Sequence, residues 1–400
     1  MVNRDDFTIL RDSNMVYFDN GATTLKPDRV RDAVNKYYNE YTANIHRGDY
    51  TNSLKVSKLY DECRSLVCNY INAKHPSEII FTSGATASLN YIVFGYFKNH
   101  LKRGDEVIIT EMEHASNVIP WFILQKEIGI IIKYIPLDEK NEVTISNLKK
   151  VISDKTKVVS IAHVTNVIGD VRNISAISKV CHDNNILLVV DAAQSIAHEH
   201  IDVTNMDIDF LAFSGHKMYG PTGIGVLYGK FNLLKEMQPI MYGGGMNALF
   251  NKDGYLELKD LPDRLEGGTP NIEGVLGLAE AIRYLNDLGL DNIRKYEHDL
   301  QKYLVSELKK LNFITIYNRD NDSSIVAFNI NGVFSQDTAI YLDKYKICVR
   351  AGNHCAKLSK DLFNVANTCR VSLSFYNTRS EVDLLINVLK NSKNIWKEIL

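Results

Sequence analysis

The sequence predicts an α/β fold: a large domain with a mainly parallel sheet flanked by helices, and a smaller α+β domain. Three observations point there. Strand-like runs alternate with helical patterns between residues 78 and 228, as in a chain of βα units. The runs Val158–His163 and Ile186–Asp191 are apolar almost throughout, as strands covered on both faces are. After about residue 280 the alternation gives way to two helical stretches followed by strands, which marks a second architecture.

Each element follows from local pattern. Glu78–Thr82 is apolar and β-prone, and a helix is expected from Ala85 because Leu89, Ile92, Val93, Tyr96 and Phe97 share one helical face. Further strands are expected at Glu106–Thr110, Ile130–Ile135, Val158–His163, Ile186–Asp191, Phe210–Ser214 and Gly225–Tyr228, most of them separated by helical segments. Helices at Val275–Asp287 and Ile293–Leu311 lead to strands at Phe313–Tyr317 and Ser324–Asn329, and a last helix starts near Ser380. The stretch before Tyr17 is expected to pack with the smaller domain. The division is therefore 16–285 for the large domain, and 1–15 with 286–400 for the small one.

Composition narrows the function classes. The chain has 400 residues, 46 basic and 48 acidic, for a net charge of -2. That argues against a generally basic, nucleic-acid-binding surface. The longest apolar runs, such as Ile186–Val190, are too short to span a bilayer. Met1-Val2-Asn3-Arg4-Asp5-Asp6 is polar and has no signal-peptide character. A cytoplasmic protein is expected, an organelle form that has lost a transit peptide being the alternative. Six cysteines form no C-x-x-C pair, so neither a zinc ribbon nor a redox pair is suggested, and no metal site is expected. Cys63, Cys68 and Cys181 fall on helical patterns and read as buried thiols.

Ligands of open α/β sheets collect beyond the carboxyl ends of the strands, and the chemically loaded residues lie there. Thr82-Ser83-Gly84-Ala85-Thr86 is a small-residue turn opening onto a helix, suited to a phosphate or to simple capping. It lacks the ending of a Walker loop. Asp191 closes an apolar strand and needs a cationic or donor partner. That partner is either a protein cation or the protonated ring nitrogen of a cofactor, with Gln194 near enough to reach a ring oxygen. Lys217 follows Ser214-Gly215-His216. A lysine desolvated near other positive charge has a depressed pKa and can form an imine. Ser214 and His216 are candidates for holding phosphate. His114 is one for ring stacking or proton transfer, and Asn166 ends another strand. Cys355, in Arg350-Ala351-Gly352-Asn353-His354-Cys355-Ala356, is expected on an exposed loop where Arg350 and His354 favour thiolate. Arg370 is a candidate bidentate partner for a substrate carboxylate.

Taken together these residues resemble a known family. Asp191-Ala192-Ala193-Gln194 followed by Ser214-Gly215-His216-Lys217 is similar to the cofactor core of class V, fold-type I pyridoxal-phosphate (PLP) enzymes. The Arg350–Ala356 loop resembles that of SufS-type, group II cysteine desulfurases. Further matching stretches are His46-Arg47-Gly48, Met112-Glu113-His114, His163-Val164-Thr165-Asn166, Tyr219-Gly220-Pro221-Thr222-Gly223, Gly243-Gly244-Gly245, Gly268-Thr269-Pro270-Asn271 and Tyr376-Asn377-Thr378.

The resemblance implies a fold-type I PLP-dependent transferase. Lys217 would carry the cofactor as a Schiff base, and Asp191 would pair with its ring nitrogen. Gln194 would meet the ring oxygen and His114 would stack on the ring. Thr86, Ala85, Ser214 and His216 would bind phosphate. Thr269 would reach the neighbouring subunit's phosphate in a homodimer. Arg370, Asn166 and Arg350 would handle the substrate, L-cysteine. Cys355 would take its sulfur as a persulfide, free alanine and feed iron–sulfur assembly through an acceptor of SufU or SufE type. Selenocysteine lyase and class V aminotransferase are the alternatives within this chemistry, and a non-catalytic scaffold is the alternative outside it. Departures from the family pattern are Ala85, Ala87, Asn353 (where histidine is frequent) and Lys357-Leu358-Ser359-Lys360.

Overall fold

The computed structural model describes residues 4–46, 48–317, 323–392 and 395. Met1–Asn3 and Arg47 of the stretches quoted above lie outside them. A short strand β1 (Val16–Tyr17) precedes two long helices, Asp28–Glu40 and Thr51–Tyr70. The main sheet then collects β2 (Ile79–Thr82), β3 (Glu106–Ile109), β4 (Ile131–Tyr134), β5 (Thr156–Ala162), β6 (Leu187–Asp191), β7 (Phe210–Ser214) and β8 (Gly225–Gly229). A hairpin, β9 (Asn247–Phe250) and β10 (Leu256–Leu258), follows. Beyond the helices Ile272–Leu288 and Leu290–Leu308 come β11 (Ile314–Ile316), β12 (Ile325–Ile330), β13 (Ile347–Cys348), β14 (Arg350–Gly352) and β15 (Thr368–Ser372).

The main sheet has the order β2-β8-β7-β6-β5-β3-β4 and is parallel except for β8. Alternation along each strand feeds two cores. Val159, Ile161, Leu188 and Val190 pack on one face under Thr51–Tyr70, Ile174–Asp183 and Ile272–Leu288. Val107, Ile109, Val158 and Val189 pack on the other, with Leu89, Ile92, Val93 and Phe97 of the helical stretch that begins at Ala85. Full burial on both faces explains why these strands read as unbroken apolar runs. β8 runs against its neighbours because only a short turn, with no helical crossover, joins it to β7.

The second sheet, β11-β12-β15-β14, is antiparallel. Val326, Phe328 and Ile330 of β12 face Leu304, Leu308, Leu385 and Leu389, while Ala327 faces Met112, Val167, Ile168 and Ala356. That second face joins the Cys355 loop to the strand ends of the main sheet. The last helix starts at Arg379, because Thr378 and Glu381 form a capping box. The stretch before Tyr17 touches both parts. Phe7 packs on Tyr284, Phe375 and Tyr376, and Arg4 pairs with Glu381 at 2.9 Å. β1 pairs with β13. Among the described residues no helix is long and apolar enough to cross a membrane.

Candidate active site

The carboxyl ends of β2, β3, β5, β6 and β7 open on one cavity of about 200 Å³. Register explains the convergence: Ala162 is opposite Asp191, Asp191 is opposite Ala212, and Thr82 and Ser214 both face Gly225. Ala85, Thr86, His114, Asn166, Asp191, Gln194, Ser214, His216, Lys217, Arg350, Cys355 and Arg370 all line this cavity. Thr269 does not. It lines a separate cleft with Ala87, Met241 and Gly268.

Asp191 is buried, and its carboxylate accepts one hydrogen bond, from the Ala193 N–H at 2.9 Å. Burial pushes its pKa up to about 6, against the opposing pull of that bond and of Lys217. Lys217 lies on the wall, and burial pulls its ammonium down to about 8. Arg370 and Arg350 push the same way, while Asp191 and Cys355 oppose them.

One wall is built from hydroxyls and backbone. Ser214 Oγ accepts from the Ala85 N–H at 2.8 Å, so that N–H is already engaged. Thr86 Oγ1 and Ser116 Oγ are 2.7 Å apart. His114 Nδ1 accepts from the Ser116 N–H at 3.1 Å. Burial holds the His114 and His216 rings near 4, so both are neutral at pH 7. The His114 proton therefore sits on Nε2. Gln194 Nε2 donates to Gly21 O at 2.8 Å.

The opposite wall belongs to the second sheet. Arg370 is buried, donating from Nη1 to Asn166 O at 2.7 Å and from Nη2 to Asp19 at 3.2 Å. Among the described residues its Nε has no partner, nor has the buried Asn166 Oδ1. Arg350 stands 3.9 Å from Asp19. Cys355 is exposed at the rim. Its loop is pinned at several points: Ala115 N–H donates to Cys355 O at 2.7 Å, and Asn166 Nδ2 to His354 O at 2.5 Å. Asn353 Oδ1 accepts from the Cys355 N–H at 3.0 Å. His354 and Cys355 both take positive φ, 52° and 58°, which costs of order 1–3 kcal/mol each and needs such pinning to persist. Cys63, Cys181 and Cys369 are buried, with thiols pushed up to about 12 by burial.

The Aminotransferase class-V family profile matches residues 16–385. This chain belongs to that family. A probable cysteine desulfurase of Halalkalibacterium halodurans is 41% identical over 390 residues, covering 97% of this chain and 95% of the relative. One from Staphylococcus aureus is 41% identical over 397 residues, covering 98% and 96%. Among solved structures, the cysteine desulfurase of Thermococcus onnurineus NA1 superposes with a TM-score of 0.93 at 36% identity, covering 97% of this chain and 96% of that one. The enzyme of Escherichia coli gives 0.92 at 34%, covering 98% of each. The fold is therefore fold-type I, and enzymes of this group depend on pyridoxal phosphate.

The cavity fits that cofactor. A buried carboxylate with no ion pair among the described residues suits a protonated ring nitrogen, the hydroxyl wall suits a phosphate, and Lys217 carries an amine with its charge weakened. Sequence reasoning missed several participants. Gly21 and Ala22 line the cavity and Asp19 holds Arg370; the small-residue run Gly21–Thr24 after an apolar strand was the available signal. Beneath the floor Arg172 donates to Glu113 at 2.5 Å, to Thr110 at 2.9 Å and to Ala162 O at 3.1 Å, fixing the His114 turn to the end of β5. No local pattern announces that network.

Proposed function

We propose that the chain is a cysteine desulfurase of SufS type. It converts L-cysteine to L-alanine, holds the sulfur as a persulfide on Cys355, and passes it to an acceptor of SufU or SufE type for iron–sulfur assembly. The observation that carries this is the placement of an exposed cysteine on the rim of the cavity that holds Lys217, Asp191 and Arg370. A class V aminotransferase reaction has no use for a thiol there.

Pyridoxal phosphate supplies the electron sink that lets an amino acid lose its Cα proton and its carbon–sulfur bond. Asp191 would hold the ring nitrogen, and His114 would stack on the ring. Thr86, Ser214, His216 and the Ala85 turn would hold the phosphate. Gln194 would exchange its bond to Gly21 O for the ring oxygen. Arg370 would bind the substrate carboxylate through Nε and its remaining N–H groups, with Asn166 Oδ1 and Arg350 beside it. Lys217 Nζ, with its depressed pKa, can both take and return a proton at the substrate carbons. Cys355 loses its proton and bonds to the substrate sulfur as that sulfur's bond to Cβ breaks. The electron pair left at Cβ takes a proton, and alanine departs.

The partner's Thr269 completes the phosphate site in this reading, which makes the enzyme a homodimer. Support comes from the position of Thr269 in a cleft of its own. It also comes from the exposed Met241, Tyr242, Leu249, Phe250, Tyr255 and Leu256 around the hairpin, a patch of the kind that marks interfaces. The division into domains 16–285 and 1–15 with 286–400 is part of the same proposal.

The test is incubation with pyridoxal phosphate and L-cysteine, following alanine and the mass of the Cys355 peptide, with each acceptor type added in turn. Cys355→Ala should lose alanine turnover. Turnover at the wild-type rate in that variant sinks the persulfide mechanism.

A further inference from the structure

Apart from Lys217, which the proposed function commits to the cofactor's carbonyl, the hydroxyl wall of the cavity carries no cation of its own among the described residues. Thr86, Ser116 and Ser214 are neutral by nature, and His114 and His216 are neutral because burial depresses them to about 4. Arg370 and Arg350 stand on the opposite wall beside Asp19. A phosphate monoester close to a dianion would meet donors on the hydroxyl wall but, with Lys217 committed to the carbonyl, no full positive charge.

One lysine stands behind that wall. Lys26 Nζ donates to the carbonyl oxygen of His216 at 3.1 Å, to Thr23 Oγ1 at 2.9 Å and to Thr24 O. All three acceptors are neutral, and among the described residues no carboxylate pairs with this ammonium. Burial alone pulls it down to about 8. A desolvated ammonium without a counterion is costly, and such a cost is tolerated where negative charge is to arrive. The His216 carbonyl also accepts from Thr23 Oγ1 at 3.1 Å, Thr24 Oγ1 at 3.1 Å and Thr24 N at 3.0 Å. The Thr23–Lys26 segment is thus strapped to the turn that bears both His216 and Lys217. The charge is felt across it: Lys26 is one of the two cations that lower the His216 ring.

We propose that Lys26 is the cation that balances the cofactor's phosphate, acting through the His216–Lys217 turn without lining the cavity. This rests on pyridoxal phosphate being the cofactor. A positive charge held in a poorly solvated site acts over several ångströms, so the effect is on the phosphorylated ligand and not on the ring.

The experiment compares the affinity of apo protein for pyridoxal phosphate and for pyridoxal, in wild type, Lys26→Met and Lys26→Gln. Both variants remove the charge, and Gln keeps a donor for the carbonyls should Met prevent folding. Pyridoxal phosphate affinity should fall about tenfold or more in the variants, with pyridoxal affinity unchanged within about twofold. Equal losses for both ligands mean that Lys26 only shapes the turn, and overturn the proposal, as does an unchanged phosphate preference. A wild-type protein that binds neither ligand overturns the cofactor reading instead.

Discussion

Lys217 should attack a carbonyl at neutral pH far faster than an ordinary lysine. Its ammonium is drawn from 10.5 to about 8, first by burial and then by Arg370 and Arg350. At pH 7 that leaves roughly a tenth of the side chains as free amine, about 300-fold more than at the ordinary value. The perturbation is pH, applied to apo protein mixed with pyridoxal phosphate. The assay is borohydride trapping at timed intervals, with the Lys217 peptide quantified by mass spectrometry. The rate should climb about tenfold per pH unit and level off near pH 8. Asp191 opposes the depression, so Asp191→Asn should move the levelling to lower pH. A wild-type rate that still climbs tenfold per unit beyond about pH 9 would show an unperturbed lysine, and would refute the electrostatic account of the site. The sign carries over to stability. Between about 8 and 10.5 the unfolded chain binds the proton that the folded Lys217 has released, so this group's contribution to apo stability rises with pH there.

Two further outcomes follow from buried geometry. His163 is buried and held near 4, below its ordinary 6.5. Its stabilising contribution is complete above the unfolded value and is lost as pH falls towards 4, on the order of 3 kcal/mol in all. Denaturant unfolding at stepped pH should show that loss together with those of His114 and His216, which burial holds near the same value, and His163→Gln should make it shallower. An equally steep acid loss in the variant assigns it elsewhere. Gly225 faces the Gly84–Ala85 turn so closely that an added Cβ would lie 2.4 Å from Gly84 Cα and 2.6 Å from Phe213 O. Gly225→Ala should cost about 1–3 kcal/mol of stability and weaken pyridoxal phosphate binding by displacing Gly84 and Ala85. Unchanged urea midpoints and affinity would contradict that packing argument.

The parts of this molecule legible in the sequence are those whose signal is local. Doubly buried strands such as β5 and β6 announce themselves as apolar runs, and the polar residue that stops each run, Asp191 above all, falls where ligands collect. Lys217 was readable for the same reason. The strand β8 was expected, but its direction was not. The clue was the stretch Gly215–Ile224, glycine-rich and without helical pattern, which allows a reversal and no crossover. β1, β13 and β14 are two or three residues long and are made by pairing partners far along the chain, so no periodicity could reveal them. Thr269 shows what a local motif leaves open. Its motif was visible, yet its distance from the cavity within one chain is a fact of packing.

Cys355 shows how the two kinds of information combine. Sequence supplies a thiol beside Arg350 and His354 on a polar loop, which is enough to suspect reactivity. It does not say where the sulfur stands. That depends on two consecutive left-handed residues that neither histidine nor cysteine favours, held by Ala115 from the end of β3, by Asn166 from the end of β5 and by Asn353 within the loop. Two of those three restraints come from the same strand ends that present His114 and the partner of Arg370. The loop and the cavity are therefore set by one framework. Asn166→Ala should loosen the loop at His354 and leave the Arg370 guanidinium in place, because Arg370 is held by the main-chain carbonyl of Asn166, whereas substitutions at Asn353 should free the Cys355 N–H.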